Sequence, residues 1–224
     1  MRTKVLLGLA ALAVGLSTSV AQNVYSLNVV GYVNKTVAAN HWYMWSNPLK
    51  ATNNTAATVL AGLSGDATGW DNALVYGWNG GFTDADTFVG ALGQWLPGTT
   101  DLTPGKGFFF FAPQAGTVTF VGEVGTTNDF ALPTGWSMVG STFPATNSLV
   151  AIGLLGQDNG AGRNDLVYRY TATGYSEGDT FVAGAGWLGT GPDGNGPVLD
   201  VGEAVFYNNA QTAAVNWVKN FTIP

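Results

Sequence analysis

The chain has 224 residues, a formal net charge of −6 and no cysteine, and only 10% of its residues are charged. The acidic balance disfavours nucleic acid and anionic membrane surfaces as partners, because both need a basic face. Without disulfides, a packed core must supply the stability. With 32 glycines and 12% aromatic residues, the composition is typical of an exported all-β protein and not of a disordered acidic chain.

Residues 1–21 have the pattern of a secretory signal peptide. Arg2 and Lys4 supply a positive start, residues 5–16 form a short apolar run, and small residues occupy positions 19 and 21. This run is shorter than the roughly 20 apolar residues that span a bilayer. We therefore expect cleavage after Ala21 and no integral membrane segment in the mature chain. The protein is predicted to be periplasmic, on the cell surface or extracellular.

Short runs of β-branched and aromatic residues predict strands along the rest of the chain. In chain order the clearest are residues 27–33, 42–45, 74–78, 108–111 and 118–124. Turn sequences rich in Gly, Pro and Asn separate them. One short helix is expected at residues 55–63 and another at 148–155, each after an Asn-containing segment that resembles a helix cap.

The chain contains the same pattern twice. The first copy consists of Val75-Tyr76-Gly77-Trp78, Gly81-Phe82, Asp84-Ala85-Asp86-Thr87-Phe88 and Trp95-Leu96. The second consists of Val167-Tyr168-Arg169-Tyr170, Gly174-Tyr175, Glu177-Gly178-Asp179-Thr180-Phe181 and Trp187-Leu188. A period this long indicates domain-sized units and not a solenoid. We predict a mainly β fold of two tandem β-sandwich or barrel-like units, residues 22–124 and 125–224, each with roughly six short strands and one short helix.

A further repeat concerns the segment that joins the two predicted units. Residues 30–36 resemble residues 121–127, and residues 218–222 resemble them more weakly. Similar strands would then lie before the first unit, between the two units and after the second unit. We expect the middle strand to end one unit and begin the next, with the units packed side by side.

Tryptophans that occur in both copies are predicted to be core residues. The matched pairs are Trp42 with Trp136 and Trp95 with Trp187. Aromatic residues at strand positions are more often buried than used as ligand platforms. The four phenylalanines at 108–111 are predicted to lie on a strand buried on both faces, or to cover a contact between the units.

The order of these motifs resembles a family of exported bacterial β-rich proteins. The resemblance rests on Trp-x-Met, Val-Tyr, Gly followed by Phe or Tyr, Trp, Pro-Gly-Lys-Gly-Phe-Phe at 104–109 and Val-Thr-Phe-Val-Gly-Glu-Val at 118–124. It implies one or two β-units behind a signal peptide, and it provides no assigned activity or catalytic residues to carry over. The second copy departs from the motif, with Val201 for Pro104. The matched Gly105 and Gly202 indicate a turn with a positive φ.

The residue inventory argues against catalysis. His41 is the only histidine and cysteine is absent. A Ser-His-Asp or Cys-His arrangement and a zinc site are therefore unsupported. We predict a non-enzymatic protein with no required cofactor.

Two acidic pairs occupy matched positions, Asp84 with Asp86 and Glu177 with Asp179. Residues two apart on a strand share a face, so the carboxylates of each pair would converge and could begin a Ca²⁺ site. The alternative is an exposed hairpin whose charges keep a sheet edge soluble. Residues 158–160 and 193–195 also contain Ca²⁺-compatible side chains, but without the EF-hand spacing.

Aromatic residues that differ between the copies are the candidates for ligand binding. Trp70 has no tryptophan counterpart, and Trp78 aligns with Tyr170. With Phe82 and Tyr175 they could form exposed platforms for sugar rings. The leading prediction is an exported non-enzymatic structural or interaction protein of the cell exterior, with a polysaccharide or protein partner. The alternative is a carbohydrate-binding module that uses these exposed aromatic residues.

Overall fold

The computed structural model describes residues 29–157, 163–191 and 193–221, apart from the side chain of Asn128. The predicted signal peptide lies outside these residues. Within the described ranges, no helix has the length and apolar character needed to cross a membrane.

Short strands form most of the regular structure. In chain order they are β1 Val30–Val37, β2 His41–Ser46, β3 Gly62–Leu63, β4 Leu74–Gly77, β5 Asp86–Val89, β6 Gln94–Leu96, β7 Gly107–Ala112, β8 Gly116–Glu123, β9 Thr127–Leu132, β10 Gly135–Gly140, β11 Asn147–Ser148, β12 Leu166–Thr171, β13 Gly174–Tyr175, β14 Asp179–Val182, β15 Gly186–Leu188, β16 Val198–Leu199, β17 Ala204–Asn209 and β18 Val215–Asn220. Helix α1 covers Ala56–Val59, and a 3-10 helix covers Ala67–Trp70. The mainly β fold is confirmed, while the division into two units stays a prediction.

Two larger antiparallel sheets have corresponding strands in the same order. The first main sheet runs β2-β7-β4-β5-β6, and the second main sheet runs β10-β17-β12-β14-β15 with β13 beside β12. Two small sheets accompany them, β1-β8-β3 and β9-β18, while β11 and β16 pair separately. The repeat in the sequence is therefore also a repeat in strand order.

The two predicted helices are mostly replaced by other structure. Within residues 55–63, α1 is only 4 residues long, because Gly62 and Leu63 pair with β8 as strand β3. Residues 148–155 begin in β11 and continue as turns. Gly153 has a positive φ of 84°, which a continuing α-helix does not accommodate. The prediction of a second helix is wrong.

The segment that joins the repeats is not one shared strand. β8 ends at Glu123 and pairs with β1, whereas β9 begins at Thr127 and pairs with β18. The prediction of a common strand is therefore wrong. The chain leaves one small sheet and enters the other between these two residues, because β1 and β18 each have their own antiparallel partner.

Each main sheet buries one face against a small sheet. Phe108 and Phe110 of β7 pack with Phe120 of β8 in the first core. Tyr207 of β17 packs with Trp217 of β18 in the second core. Since successive side chains of a strand alternate between faces, the residues between these positions point the other way.

The remaining faces of the two main sheets pack against each other. Phe109 of β7 and Phe206 of β17 belong to a third apolar cluster, together with Met44, Met138 and Ala204. Strand β7 is therefore covered on both faces, as the phenylalanine run predicts. The third cluster places the first main sheet directly against the second.

Two backbone hydrogen bonds across this contact are equivalent in the repeats. Ser46 N donates to Gly202 O at 3.0 Å, and Gly140 N donates to Gly105 O at 3.2 Å. In the repeat, Ser46 corresponds to Gly140 and Gly105 corresponds to Gly202. Each sheet thus donates and accepts the same bond, as in a two-fold interface. The φ angles of Gly105 and Gly202, 95° and 70°, confirm the predicted positive-φ turns.

Gly140→Ala should weaken the contact between the main sheets. An added Cβ would lie 2.0 Å from Ser46 Oγ and 2.8 Å from the backbone oxygen of Glu203, so β10 would have to shift. We expect a loss of about 1–3 kcal/mol in the free energy of unfolding, measured by urea denaturation. Gly81→Ala is the control, because its Cβ would meet no atom within 4 Å. Equal stability of the two variants would contradict the close contact.

Candidate binding site between the main sheets

The outward side chains of the central strands form an aromatic surface. Strand alternation places Trp42 and Met44 of β2 on one face and Trp45 on the other. Trp45 packs in the first core, so Trp42 faces the second main sheet in the third cluster. Trp136 has the corresponding position in β10 and is 42% exposed.

Two neighbouring pockets open on this surface. The first pocket has a volume of about 420 Å³ and is lined by Trp78, Phe82, Trp136, Tyr168, Tyr175 and Phe206. The second pocket has a volume of about 400 Å³ and is lined by Trp42, Tyr76, Phe82, Phe109, Tyr170 and Tyr175. Every one of these side chains is aromatic, and Phe82 and Tyr175 belong to both pockets.

Exchanging the two repeats converts the lining of one pocket into that of the other. The corresponding residues are Trp78 and Tyr170, Phe82 and Tyr175, Trp136 and Trp42, Tyr168 and Tyr76, and Phe206 and Phe109. The ring contacts match as well. Trp78 meets Phe206 edge-to-face at 4.9 Å, and Tyr170 meets Phe109 in the same way at 4.9 Å. The pockets are therefore two versions of one site.

Tyrosine hydroxyls supply the polar groups of the pockets. Those of Tyr76, Tyr168, Tyr170 and Tyr175 make no hydrogen bond to any other part of the described chain. Burial, with a smaller effect of the adjacent Tyr170, raises the pKa of Tyr175 above its ordinary value. Its hydroxyl therefore stays protonated at neutral pH and can both donate and accept a hydrogen bond.

Buried rings form the floor of the pockets and exposed rings form their rims. Phe109 and Phe206 are buried, whereas Phe82 and Tyr175 are 54% and 53% exposed. At the rim of the first pocket, Trp78 Nε1 donates to the backbone oxygen of Trp136 at 3.1 Å, which links the two main sheets. This arrangement offers an apolar, rigid surface to the face of a flat ligand.

Four of the five predicted ligand-binding residues meet at this surface: Trp78, Phe82, Tyr170 and Tyr175. Trp70 does not. It is fully buried in the first core, and its Nε1 donates to Ser64 O at 2.8 Å. The prediction of an exposed platform at Trp70 is wrong, because the 3-10 helix turns its indole towards the core.

The matched tryptophans serve two different purposes. Trp95 and Trp187 are buried core residues, as predicted. The same prediction is wrong for Trp136, which is exposed, and Trp42 is only half-buried. The signal for this difference is the spacing on β2: Trp42 and Trp45 cannot share a face, so one of them must point away from the first core.

Two further pockets adjoin the first two. The third pocket, about 470 Å³ in volume, shares Trp42 and Tyr170 with the second pocket and includes Lys35, His41, Arg169 and Glu203. The fourth pocket, about 530 Å³ in volume, shares Trp78 and Trp136 with the first pocket and includes Asn79, Thr103 and Lys106.

The third pocket is charged. Arg169 Nε and Nη2 donate to the two carboxylate oxygens of Glu203 at 2.6 and 2.9 Å, and this hydrogen bonding raises the pKa of Arg169. Lys35 Nζ donates to Val201 O at 2.9 Å. Burial lowers the pKa of Lys35, and the carboxylates of Asp200 and Glu203 oppose that shift. The cationic side chains of Lys35 and Arg169 therefore lie next to the aromatic lining of the second pocket.

His41 lies at the edge of the third pocket. It is exposed at the start of β2, and its Nδ1 lies 2.7 Å from Ala39 O. Since a carbonyl oxygen only accepts, Nδ1 carries the proton in this contact. The position agrees with the strand-edge role expected from the sequence.

The acidic pairs do not converge. Asp86 and Asp179 are buried, whereas Asp84 and Glu177 are exposed. Strands β5 and β14 begin only at Asp86 and Asp179, so the preceding carboxylates are not held on the same strand face. The prediction of convergent pairs is wrong, and so is the exposed-hairpin alternative for the two buried residues.

Among the described residues, no group of three or more His, Cys, Asp or Glu could hold a metal ion. Residues 158–160, which contain Ca²⁺-compatible side chains, lie outside the described residues.

The two buried carboxylates instead hold loops. Asp86 accepts hydrogen bonds from the backbone N–H groups of Gly98 and Thr100, both at 2.8 Å. Asp179 accepts from the N–H of Thr190 at 2.6 Å and from its hydroxyl at 2.9 Å. Their matched positions therefore reflect the same loop anchor in both repeats.

Comparison with known proteins identifies no relative: no protein family, curated protein or solved structure matches the chain. The resemblance to exported bacterial β-rich proteins stays a prediction.

Asp86→Asn should destabilise the protein although it replaces a single side-chain oxygen. The new NH₂ group would face backbone donors, so one buried N–H would lose its acceptor. We expect a loss of about 1–3 kcal/mol in the free energy of unfolding by urea denaturation. Asp84→Asn, exposed and two residues away, should change it by less than about 0.5 kcal/mol. Stabilisation of the wild type by Ca²⁺ that disappears in Asp86→Asn would contradict the anchor role.

Proposed function

We propose that this chain is an exported, non-catalytic protein that binds carbohydrate through the first and second pockets. The observation that carries the proposal is the pairing of aromatic walls with tyrosine hydroxyls that have no partner in the described chain. The geometry favours the second of the two functions predicted from the sequence, and the proposal requires no cofactor.

A sugar ring matches both properties of these pockets. Its C–H faces are apolar and pack against aromatic rings, while its hydroxyl rim exchanges hydrogen bonds with tyrosine hydroxyls. A purely apolar ligand would leave the hydroxyls of Tyr168 and Tyr170 without partners. A polyanionic ligand would meet a chain of net charge −6.

Sugars with equatorial substituents have the flattest C–H faces. Glucose, xylose and N-acetylglucosamine units in β-1,4 linkage are of this kind, so the proposed ligand class is a neutral β-linked glycan. Such a ligand buries apolar surface against rings most of which lie on strands, which limits the entropy lost on binding.

A structural role with a protein partner is the second candidate function. A separate surface supports it: on the outer face of β1 and β8, Val30, Tyr32 and Val121 are 57%, 72% and 46% exposed. Tyr32 and Val121 are direct cross-strand neighbours. Exposed apolar patches are common at protein contacts. The patch shares no residue with the pockets, so the two functions can be tested separately.

Trp136→Ala should weaken glycan binding and leave the fold intact. The substitution removes an exposed wall of the first pocket, and we expect at least about a tenfold loss of affinity, or about 1.4 kcal/mol. Affinity electrophoresis in gels that contain hydroxyethyl cellulose, arabinoxylan or glycol chitin measures the loss as reduced retardation.

Tyr32→Ala is the matched control, because it removes an exposed aromatic ring outside the pockets. It should be retarded as strongly as the wild type. Wild-type migration that none of the three glycans retards would exclude the carbohydrate function. Equal weakening by Trp136→Ala and Tyr32→Ala would show that the pockets are not the binding site.

A further inference from the structure

The four pockets form one row across the contact between the main sheets. Each boundary between neighbours is a pair of aromatic side chains. In order from the third pocket to the second, first and fourth, these pairs are Trp42 with Tyr170, Phe82 with Tyr175, and Trp78 with Trp136. The central pair exchanges under the repeat, and so do the two outer pairs. Four pockets separated by paired aromatic rings match a chain of linked units better than a single compact molecule.

We infer that the ligand is an extended glycan that lies along this row, with one sugar unit in each of the four pockets. The inference rests on the proposed carbohydrate function and adds the length of the ligand and the pocket in which charged groups bind one of its ends. Adjacent pockets bind linked units cooperatively, because the first unit to bind raises the effective concentration of the next.

The two central pockets do not distinguish the two possible directions of a bound glycan, but the two outer pockets can. The first and second pockets are lined by corresponding residues, so a glycan bound in the reverse direction meets the same kinds of ring. The outer pockets differ. Arg169 and Glu203 at the third pocket correspond to Gly77 and Lys106 in the first repeat. The third pocket therefore has two cationic side chains, Lys35 and Arg169, whereas the fourth has only Lys106, which is paired with the exposed Asp101.

The cationic side chains of the third pocket have N–H groups that remain available to a ligand. Lys35 Nζ has one hydrogen bond, to Val201 O, and Arg169 uses Nε and Nη2 for Glu203. An ammonium group has three donors and a guanidinium group five. Lys35 and Arg169 therefore bind hydroxyl or carbonyl oxygens of the sugar at one end of the chain.

A length series tests the inference directly on the wild-type protein. β-1,4-linked oligomers of glucose, xylose and N-acetylglucosamine, from two to six units, are titrated by calorimetry. For the series that binds, affinity should rise at least about tenfold from two to four units and less than about twofold from four to six, with one chain per protein.

Substitutions then test where the glycan lies along the four pockets. Trp42→Ala and Trp136→Ala each remove a boundary ring and should abolish most of the gain from two to four units. Lys35→Ala should weaken tetramer binding at least about threefold, whereas Lys219→Ala, at an exposed lysine of β18, should leave tetramer binding unchanged. Unchanged unfolding midpoints establish that the variants are folded.

The outcomes separate the two proposals. Dimers that bind as tightly as tetramers, or two short chains bound per protein, would overturn the extended-chain inference and leave carbohydrate binding standing. Unchanged tetramer binding by Lys35→Ala would also overturn the extended chain and spare carbohydrate binding. No binding by any oligomer of any length would overturn both.

Discussion

The face-to-face contact of the two main sheets determines where the other features of this protein lie. Phe109 and Phe206, from corresponding strands, meet within it at a centroid separation of 6.4 Å. The contact covers the centre of each face and leaves the outer rings at its margins. Those uncovered rings become pocket walls. The same burial adds apolar area to a cysteine-free chain, which must be stabilised by packing alone.

Small residues make this contact close enough to define a site. A Cβ at Gly107 would lie 2.6 Å from Met138 Cγ, so a larger residue there would push the sheets apart. The reciprocal bonds of Ser46 and Gly140 then set one sheet in register with the other. This register brings Trp78 beside Trp136 across the contact. Most of the pocket walls consequently lie on strands, which position side chains more firmly than loops do, while Trp78 and Phe82 pair with each other in an isolated bridge just beyond β4.

Differences between the two repeats mark only part of the candidate site. Trp78 and Tyr170 differ between the repeats and line equivalent pockets. Trp42 and Trp136 are identical in the repeats and line pockets as well, although identity suggested a role in the core. Because the repeats meet through the same face, a shared residue can be required by the fold, by the surface between the sheets, or by both.

The β class, the presence of two repeats, the positive-φ turns at Gly105 and Gly202 and the double burial of β7 follow from the sequence alone. These features depend on side-chain alternation and local backbone conformation, which neighbouring residues specify. Tertiary packing sets the strand order, buries Trp70, makes Asp86 a loop anchor and determines which ring of β2 borders a pocket. Alternation places Trp42 and Trp45 on opposite faces, but the partner that covers each face comes from a distant part of the chain. Which partner covers each face therefore depends on sheet packing, which local patterns do not specify.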